Sequence, residues 1–250
     1  RRILANAVGA VCGMVEQPAP EESDRPLIAA SMFGVTTPCV DRVRRRLEEA
    51  GYDVLVFHAT GSGGRAMEGL IRAGFFAGVA DVTTTEWCDE VVGGVLSAGP
   101  ERLSAAAEAG VPQVVSCGAL DMVNFHAERT VPEQFRERRL YRHNPNVTLM
   151  RTTAEDAAQV AERIAEKLNQ ASGPVTLLIP TQGVSMLDRE GQPFHDPEAD
   201  AVLFQTLRKA LQPHVEVVEY DLHLNDPAFA DAVVEHLLKF LRQDHRTTFN

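Results

Sequence analysis

Apolar residues follow two rhythms along the chain, and their alternation predicts the architecture. Short runs at 27–33, 53–57, 76–82, 112–116, 175–179 and 215–220 are rich in aliphatic and β-branched residues, as buried strands are. Between them apolar positions recur three and four residues apart, as in Ala66, Leu70 and Ala73 with Met67 and Ile71, or Phe229, Val233, Leu237 and Leu241. That spacing paints one face of a helix. Six strands alternating with helices pair in parallel through right-handed crossovers. The fold class is therefore α/β, a doubly wound, mostly parallel sheet of about six strands of Rossmann-like type.

Local signals agree with the periodicity. Thr37 and Pro38 suit the cap and first position of a helix that stops at Gly51, and Asp196-Pro197 and Asn225-Asp-Pro227 open two more. A helix is expected over about 101–109, and another from the cap and early acids at 152–156 to about Asn169. Residues 122–146 lack clean periodicity and read as a long irregular connection, functional or packed as a lid.

The first fifteen residues read as a helix with Ile3, Leu4, Ala7, Val8, Val11, Met14 and Val15 on an apolar face that needs a cover, so self-association into a homo-oligomer is expected. A proline-rich linker follows. This divides the chain into a connecting helix and linker (1–26), a Rossmann-like α/β domain (27–242) and a C-terminal tail (243–250). The opening Arg-Arg-Ile, without methionine, suggests a fragment whose preceding domain has been removed.

Composition narrows the partners. With 250 residues, 44% of them hydrophobic, the chain can bury a sizeable core. Twenty-four basic against 35 acidic residues leave a formal charge of −11, which argues against nucleic acid or an anionic membrane, so any phosphate site must be local. Apolar runs are too short to span a bilayer, and the N-terminus lacks a signal peptide's segment. Cys12, Cys39, Cys88 and Cys117 are widely spaced, indicating neither a zinc site nor a disulfide framework and fitting a cytoplasmic setting.

In doubly wound sheets ligands sit beyond the carboxyl ends of the strands. There the stretch after 53–57 reads strand, glycine turn, helix, with Gly61-Ser62-Gly63-Gly64 at the turn. Glycines allow a close backbone approach, and the unpaired N–H groups opening a helix favour an anion. The competing reading is a turn that needs glycine only to pack. The ligand-binding set expected at this rim is Thr36, Thr37, Thr60, Gly61, Ser62, Gly63, Gly64, Arg65, Thr84, Glu86 and Gly118. Glu86, Asp121 and His58 are the acid/base candidates, with Glu86 equally a helix-start carboxylate. Asp121, Asn124, His126 and His143 have no metal-ligand spacing, so no metal site is expected. Arg151 reads as a salt bridge or an anion clamp, and Cys117 as a buried thiol or an exposed nucleophile.

Several long strings go further: Gly34-Val-Thr-Thr-Pro-Cys39, Phe57-His-Ala-Thr-Gly-Ser-Gly-Gly-Arg-Ala-Met67, Asp81-Val-Thr-Thr-Thr-Glu86, Gly93-Gly-Val-Leu-Ser-Ala-Gly-Pro100 and Gly118-Ala-Leu-Asp-Met-Val-Asn-Phe125. Through them the chain resembles the tobamovirus-resistance-protein-like ATP-binding family over essentially its whole length. Members have two Rossmann-like halves, and this chain is similar to the second, whereas nucleotide binding belongs to the first. The resemblance implies a nucleotide-associated protein whose missing N-terminal domain is a partner. ATP is a possible family ligand that it does not place on this half. The function expected is a small-molecule binding domain for an anion or nucleotide-type ligand. The alternative is an enzyme acting on a phosphorylated or carboxylated small molecule, with Glu86 or Asp121 as acid/base.

Overall fold

In the computed structural model, residues 1–18 and 25–247 are described, so most of the expected linker, 19–24, and the last three residues lie outside the described residues. Six strands form one sheet: β1 (Leu27–Met32), β2 (Asp53–His58), β3 (Gly78–Thr83), β4 (Gln113–Gly118), β8 (Val175–Pro180) and β9 (Glu216–Tyr220). Their order is β2-β1-β3-β4-β8-β9, and every neighbouring pair is parallel. The doubly wound α/β fold read from the sequence is the fold observed. The chain turns back between β1 and β3, which makes the space beyond those two strand ends the topological switch point.

Side chains alternate across the sheet because successive Cβ atoms point to opposite faces. On one face Ile28, Ala30, Val114 and Leu178 pack beneath α2 (Thr37–Glu49) and α8 (Pro227–Thr247). On the other, Val115, Leu177 and Ile179 meet α6 (Ala154–Leu168) and α7 (Pro197–Ala210), while Ala29 and Val79 meet α3 (Ser62–Arg72) and the short α5 (Ala105–Ala109). Phe229, Val233 and Leu237 of α8 are fully buried, each worth about 1.5–3 kcal/mol of apolar burial. α6 opens with a capping box in which Thr153 and Asp156 bond each other's backbone N–H.

The structure departs from the sequence reading at three places. Residues 122–146 hold β5 (Met122–Phe125), β6 (Leu140–Asn144) and two short 3₁₀ turns, and with β7 (Val147–Arg151) the two strands form a second, antiparallel sheet ordered β5-β7-β6. The helix expected from 101 begins only at Ala105, because the chain before it is drawn into a buried charge network described below. α8 continues as helix to Thr247, into the stretch read as a tail. The first helix, α1 (Arg2–Glu16), buries no residue, and Ile3, Leu4, Met14 and Val15 are each more than two-thirds exposed.

Candidate functional site

The glycine turn stands at the carboxyl end of β2, as its sequence implies, and it already holds an anion. Glu86 opens the seven-residue α4 (Glu86–Val92) and is fully buried. Its Oε1 accepts the N–H of Gly61 at 2.6 Å and of Gly64 at 3.1 Å. The protein's own carboxylate thus occupies the position expected for an external anion at these two amides, and a ligand there would have to displace it. Among the described residues no acceptor bonds the N–H of Ser62 or Gly63, and Ser62 is exposed. Arg65 donates to the Ser97 carbonyl.

Close packing accounts for the glycines. Gly61 has φ of 81°, in the left-handed region that glycine enters without strain. A Cβ on Gly63 would lie 1.9 Å from the His58 carbonyl oxygen, and one on Gly64 would lie 2.2 Å from Glu86 Oε2.

Behind Glu86 lies a residue that sequence reasoning missed, Arg102, which is 1% exposed. Its Nε donates to Glu86 Oε2 at 2.7 Å, its Nη atoms grip Asp81 at 2.5 and 2.6 Å, and Nη1 reaches Glu68 at 3.3 Å. Glu68 in turn accepts the N–H groups of Leu103 and Ala105, which caps α5 and holds Leu103 at a φ of 69°. Burial pushes the Glu68 carboxyl up, opposed by the Arg102 charge.

The remaining rim candidates are stitched to strand ends. Thr36 and Thr83 share a hydrogen bond at 2.8 Å across the switch point, Thr37 donates to Phe33, Thr60 to His58 and Thr84 to Ser116. Thr36 and Thr84 are fully buried, and Gly118 packs against the Val82 carbonyl with no room for a Cβ. His58 is exposed beside the Phe33 ring, 5.4 Å between centroids. Cys39, Cys88 and Cys117 are buried, which raises each thiol's pKa and makes it unreactive, Cys39 to about 12. Among the described residues, no three His, Cys, Asp or Glu side chains form a metal-binding group.

A further space at the rim lies at the other edge of the sheet. A cleft of about 850 Å³ opens beyond β8 and β9, with Thr181, Gln182, Arg189, His195 and Arg208 on its walls and Phe204 and Ala201 of α7 beneath. Asp200, in the first turn of α7, is part of the same wall. Its Oδ1 accepts from Arg151 Nη2 at 2.6 Å, the salt bridge that one reading of Arg151 anticipated. Asp188 lies 3.6 Å from the same nitrogen, and fully buried Asp121 accepts from Ser185 at 2.7 Å. Burial, with the charge of Asp188, pushes the Asp121 carboxyl up to about 7. Asp121 and Arg151 stand out singly in the sequence; the fold adds Asp188 and Asp200 and joins all four.

Residues 25–241 match the model described as "Uncharacterised protein family (UPF0261) C-terminal domain". The chain belongs to that family. It is 53% identical to a UPF0261 protein of Clostridium tetani over 97% of this chain and 60% of that protein. It is likewise 53% identical to the UPF0261 protein RA0729 of Rhizobium meliloti over 94% of this chain and 59% of that one. The tomato ToMV resistance protein Tm-1(GCR237) is 46% identical over 95% of this chain but 32% of its own length. The chain therefore spans about 60% of the bacterial UPF0261 relatives it matches, and the match to a C-terminal domain agrees with the second half expected from the sequence strings.

One buried acid of this UPF0261 domain sets a pH dependence. Asp89 accepts the backbone and side-chain N–H of Asn124 at 2.9 and 2.7 Å, and burial nevertheless pushes its carboxyl up to about 7. The folded state then keeps its proton at pH values where the unfolded chain has lost it. The contribution of this carboxyl to stability is accordingly largest below the ordinary carboxylate range and falls as pH rises toward about 7, by on the order of 1 kcal/mol per unit. In urea unfolding, Asp89→Asn is expected to remove that share of the slope and leave the share of Asp121, which is pushed up in the same way, and an unchanged slope would assign it elsewhere.

Proposed function

We propose that this domain binds a small anionic molecule of nucleotide type at the carboxyl rim of its sheet, as one half of a nucleotide-associated two-domain protein. The observation that carries the reading is the cleft beyond β8 and β9, whose volume of about 850 Å³ suits a small molecule. Arg189, Arg208, His195, Thr181 and Gln182 line it, side-chain types that pair with phosphate or carboxylate oxygens, and a ligand would share the arginines, Thr181 and Gln182 with Asp226, Glu219, Tyr220 and Asp221, their present partners. The free amides of Ser62 and Gly63 offer a second, smaller anion point near the opposite edge strand, β2. ATP is the first nucleotide to test, on the resemblance alone.

The greater length of the bacterial relatives supports an N-terminal domain as partner, and the uncovered apolar face of α1 supports a homo-oligomer. Unpaired cysteines and the charge of −11 support a cytoplasmic protein that binds neither nucleic acid nor membrane.

Thermal shift with ATP, NAD and a sugar phosphate tests this. A ligand at a hundredfold excess over its Kd stabilises by ~2.7 kcal/mol. Arg208→Ala is expected to abolish the shift and Arg65→Ala to leave it. No shift with any of the compounds sinks the reading, and loss in Arg65→Ala alone moves the ligand to the glycine turn. A second reading, turnover of a phosphorylated or carboxylated ligand, is favoured by the position of Asp200: Glu86 and Asp121 are fully buried, whereas Asp200 lines the cleft.

A further inference from the structure

Behind the cleft, acids outnumber the cation that balances them. Arg151, 4% exposed, faces Asp121, Asp188 and Asp200, so one positive charge meets three potential negative ones. An interior that cannot solvate two surplus charges takes up protons instead. Hydrogen bonding shows which oxygens have room for one. Asp121 Oδ2 accepts from Ser185, Asp188 Oδ2 from the Val184 N–H and Asp200 Oδ1 from Arg151. Asp121 Oδ1 and Asp188 Oδ1 are sealed in without a hydrogen-bond partner, Asp188 Oδ1 lying 3.6 Å from Arg151 Nη2. Asp200 Oδ2 has no donor among the described residues, and its side chain, in a residue 8% exposed, is the one of the three that lines the cleft.

We propose that Asp200 carries a proton on Oδ2 and donates it in a hydrogen bond to an oxyanion, carboxylate or phosphate, of the cleft ligand, an inference that rests on the cleft being the ligand site. An un-ionised carboxyl can face an anion without repelling it. Arg189, paired with Asp226, and Arg208, paired with Glu219, are the cations on the cleft walls, while Glu190 and His195 complete the titratable groups there, so an ionised Asp200 would add to a surplus of negative charge. Burial, first, and the charges of Asp188 and Asp121 push the Asp200 carboxyl up, opposed by Arg151, whose charge and hydrogen bond at Oδ1 favour the ionised form. Ligand binding is then linked to retention of that proton.

Two measurements separate this proposal from the reading beneath it. The infrared difference spectrum of the unliganded wild type against Asp200→Asn near neutral pH is expected to show the loss of one un-ionised carboxyl component, while any absorption from Asp89 and Asp121, both pushed up to about 7, stays in both proteins. The amide keeps the acceptor for Arg151 and mimics the O–H donor, so the variant should fold. An un-ionised carboxyl absorption as strong in Asp200→Asn as in wild type puts the proton on another acid and overturns the proposal. In NMR titrations with sulfate and separately with acetate, wild-type affinity should fall about tenfold per pH unit above the cluster's midpoint. The Asp200→Asn variant should show no such fall. The probe that binds distinguishes a tetrahedral from a carboxylate ligand, and a pH-independent wild-type affinity overturns the proposal. If that one component is lost in Asp200→Asn but neither probe binds, the proton assignment stands and the cleft reading falls.

Discussion

Arg102→Met is expected to lower the stability of this domain by about 3–5 kcal/mol, the cost of breaking a buried ion pair from one side. Glu68, Asp81 and Glu86 all lean on this guanidinium, and its removal strands three carboxylates where they are at most 5% exposed. Glu86 would retain only the two glycine-turn amides, and Asp81 only the Ser31 hydroxyl at 2.6 Å. Arg102→Lys should recover part of the loss, since an ammonium keeps the charge but cannot span three partners as the planar fork does. The deficit also has a pH signature. Stranded carboxyls have raised pKa values in the folded state, so the variant should regain stability as pH falls toward the carboxylate range. Urea unfolding at two pH values measures both effects. A midpoint within error of wild type at neutral pH would mean that the three acids are compensated elsewhere, and the glycine turn would lose its internal counter-ion scheme.

This network also explains what could and could not be read in advance. The six parallel strands were legible because the central ones are buried on both faces and appear as short, mostly apolar runs, interrupted at single positions such as Asp81 and Ser116. The glycine turn was legible as a place of close approach, but not what approaches: Glu86 lies 25 residues from Gly61, and its carboxylate looks the same in sequence whether it faces water, a ligand or two amides. Arg102 was hidden by its setting, a polar residue in a window with helical spacing, and burial of a single arginine leaves no periodic trace. Asp200 was masked in another way, since an acid in the first turn of α7 is expected for the helix dipole alone. The antiparallel sheet escaped because β5 has four residues and β6 is a mixed, largely exposed Leu-Tyr-Arg-His-Asn, too short for alternation to stand out. Arg138 helps to hold that sheet to α6 by bonding both the Arg151 carbonyl and Asp156, a pairing that only the folded chain displays.

The glycine turn admits a test of whether its residues serve the fold or a ligand. Gly63→Ala is expected to destabilise by about 3 kcal/mol, the upper end of overpacking penalties, with no ligand present. Its Cβ would meet the oxygen, carbon and nitrogen of His58 at 1.9, 2.8 and 3.2 Å, all backbone atoms of the last residue of β2. No side chain can swing aside, so the start of α3 must move off the strand, carrying the Gly61 and Gly64 amides away from Glu86. Gly69→Ala on the same helix is the matched control. A Cβ there meets nothing within 4 Å, and alanine in an exposed helix interior is favoured by up to about 1 kcal/mol. Thermal unfolding should separate the two variants by several degrees in opposite directions from wild type. Equal midpoints would show that the turn tolerates a side chain and that its glycines are there for a guest. Opposite shifts would mean that they are required first for the seating of Glu86, leaving the Ser62 and Gly63 amides as the part of the turn still open to an anion.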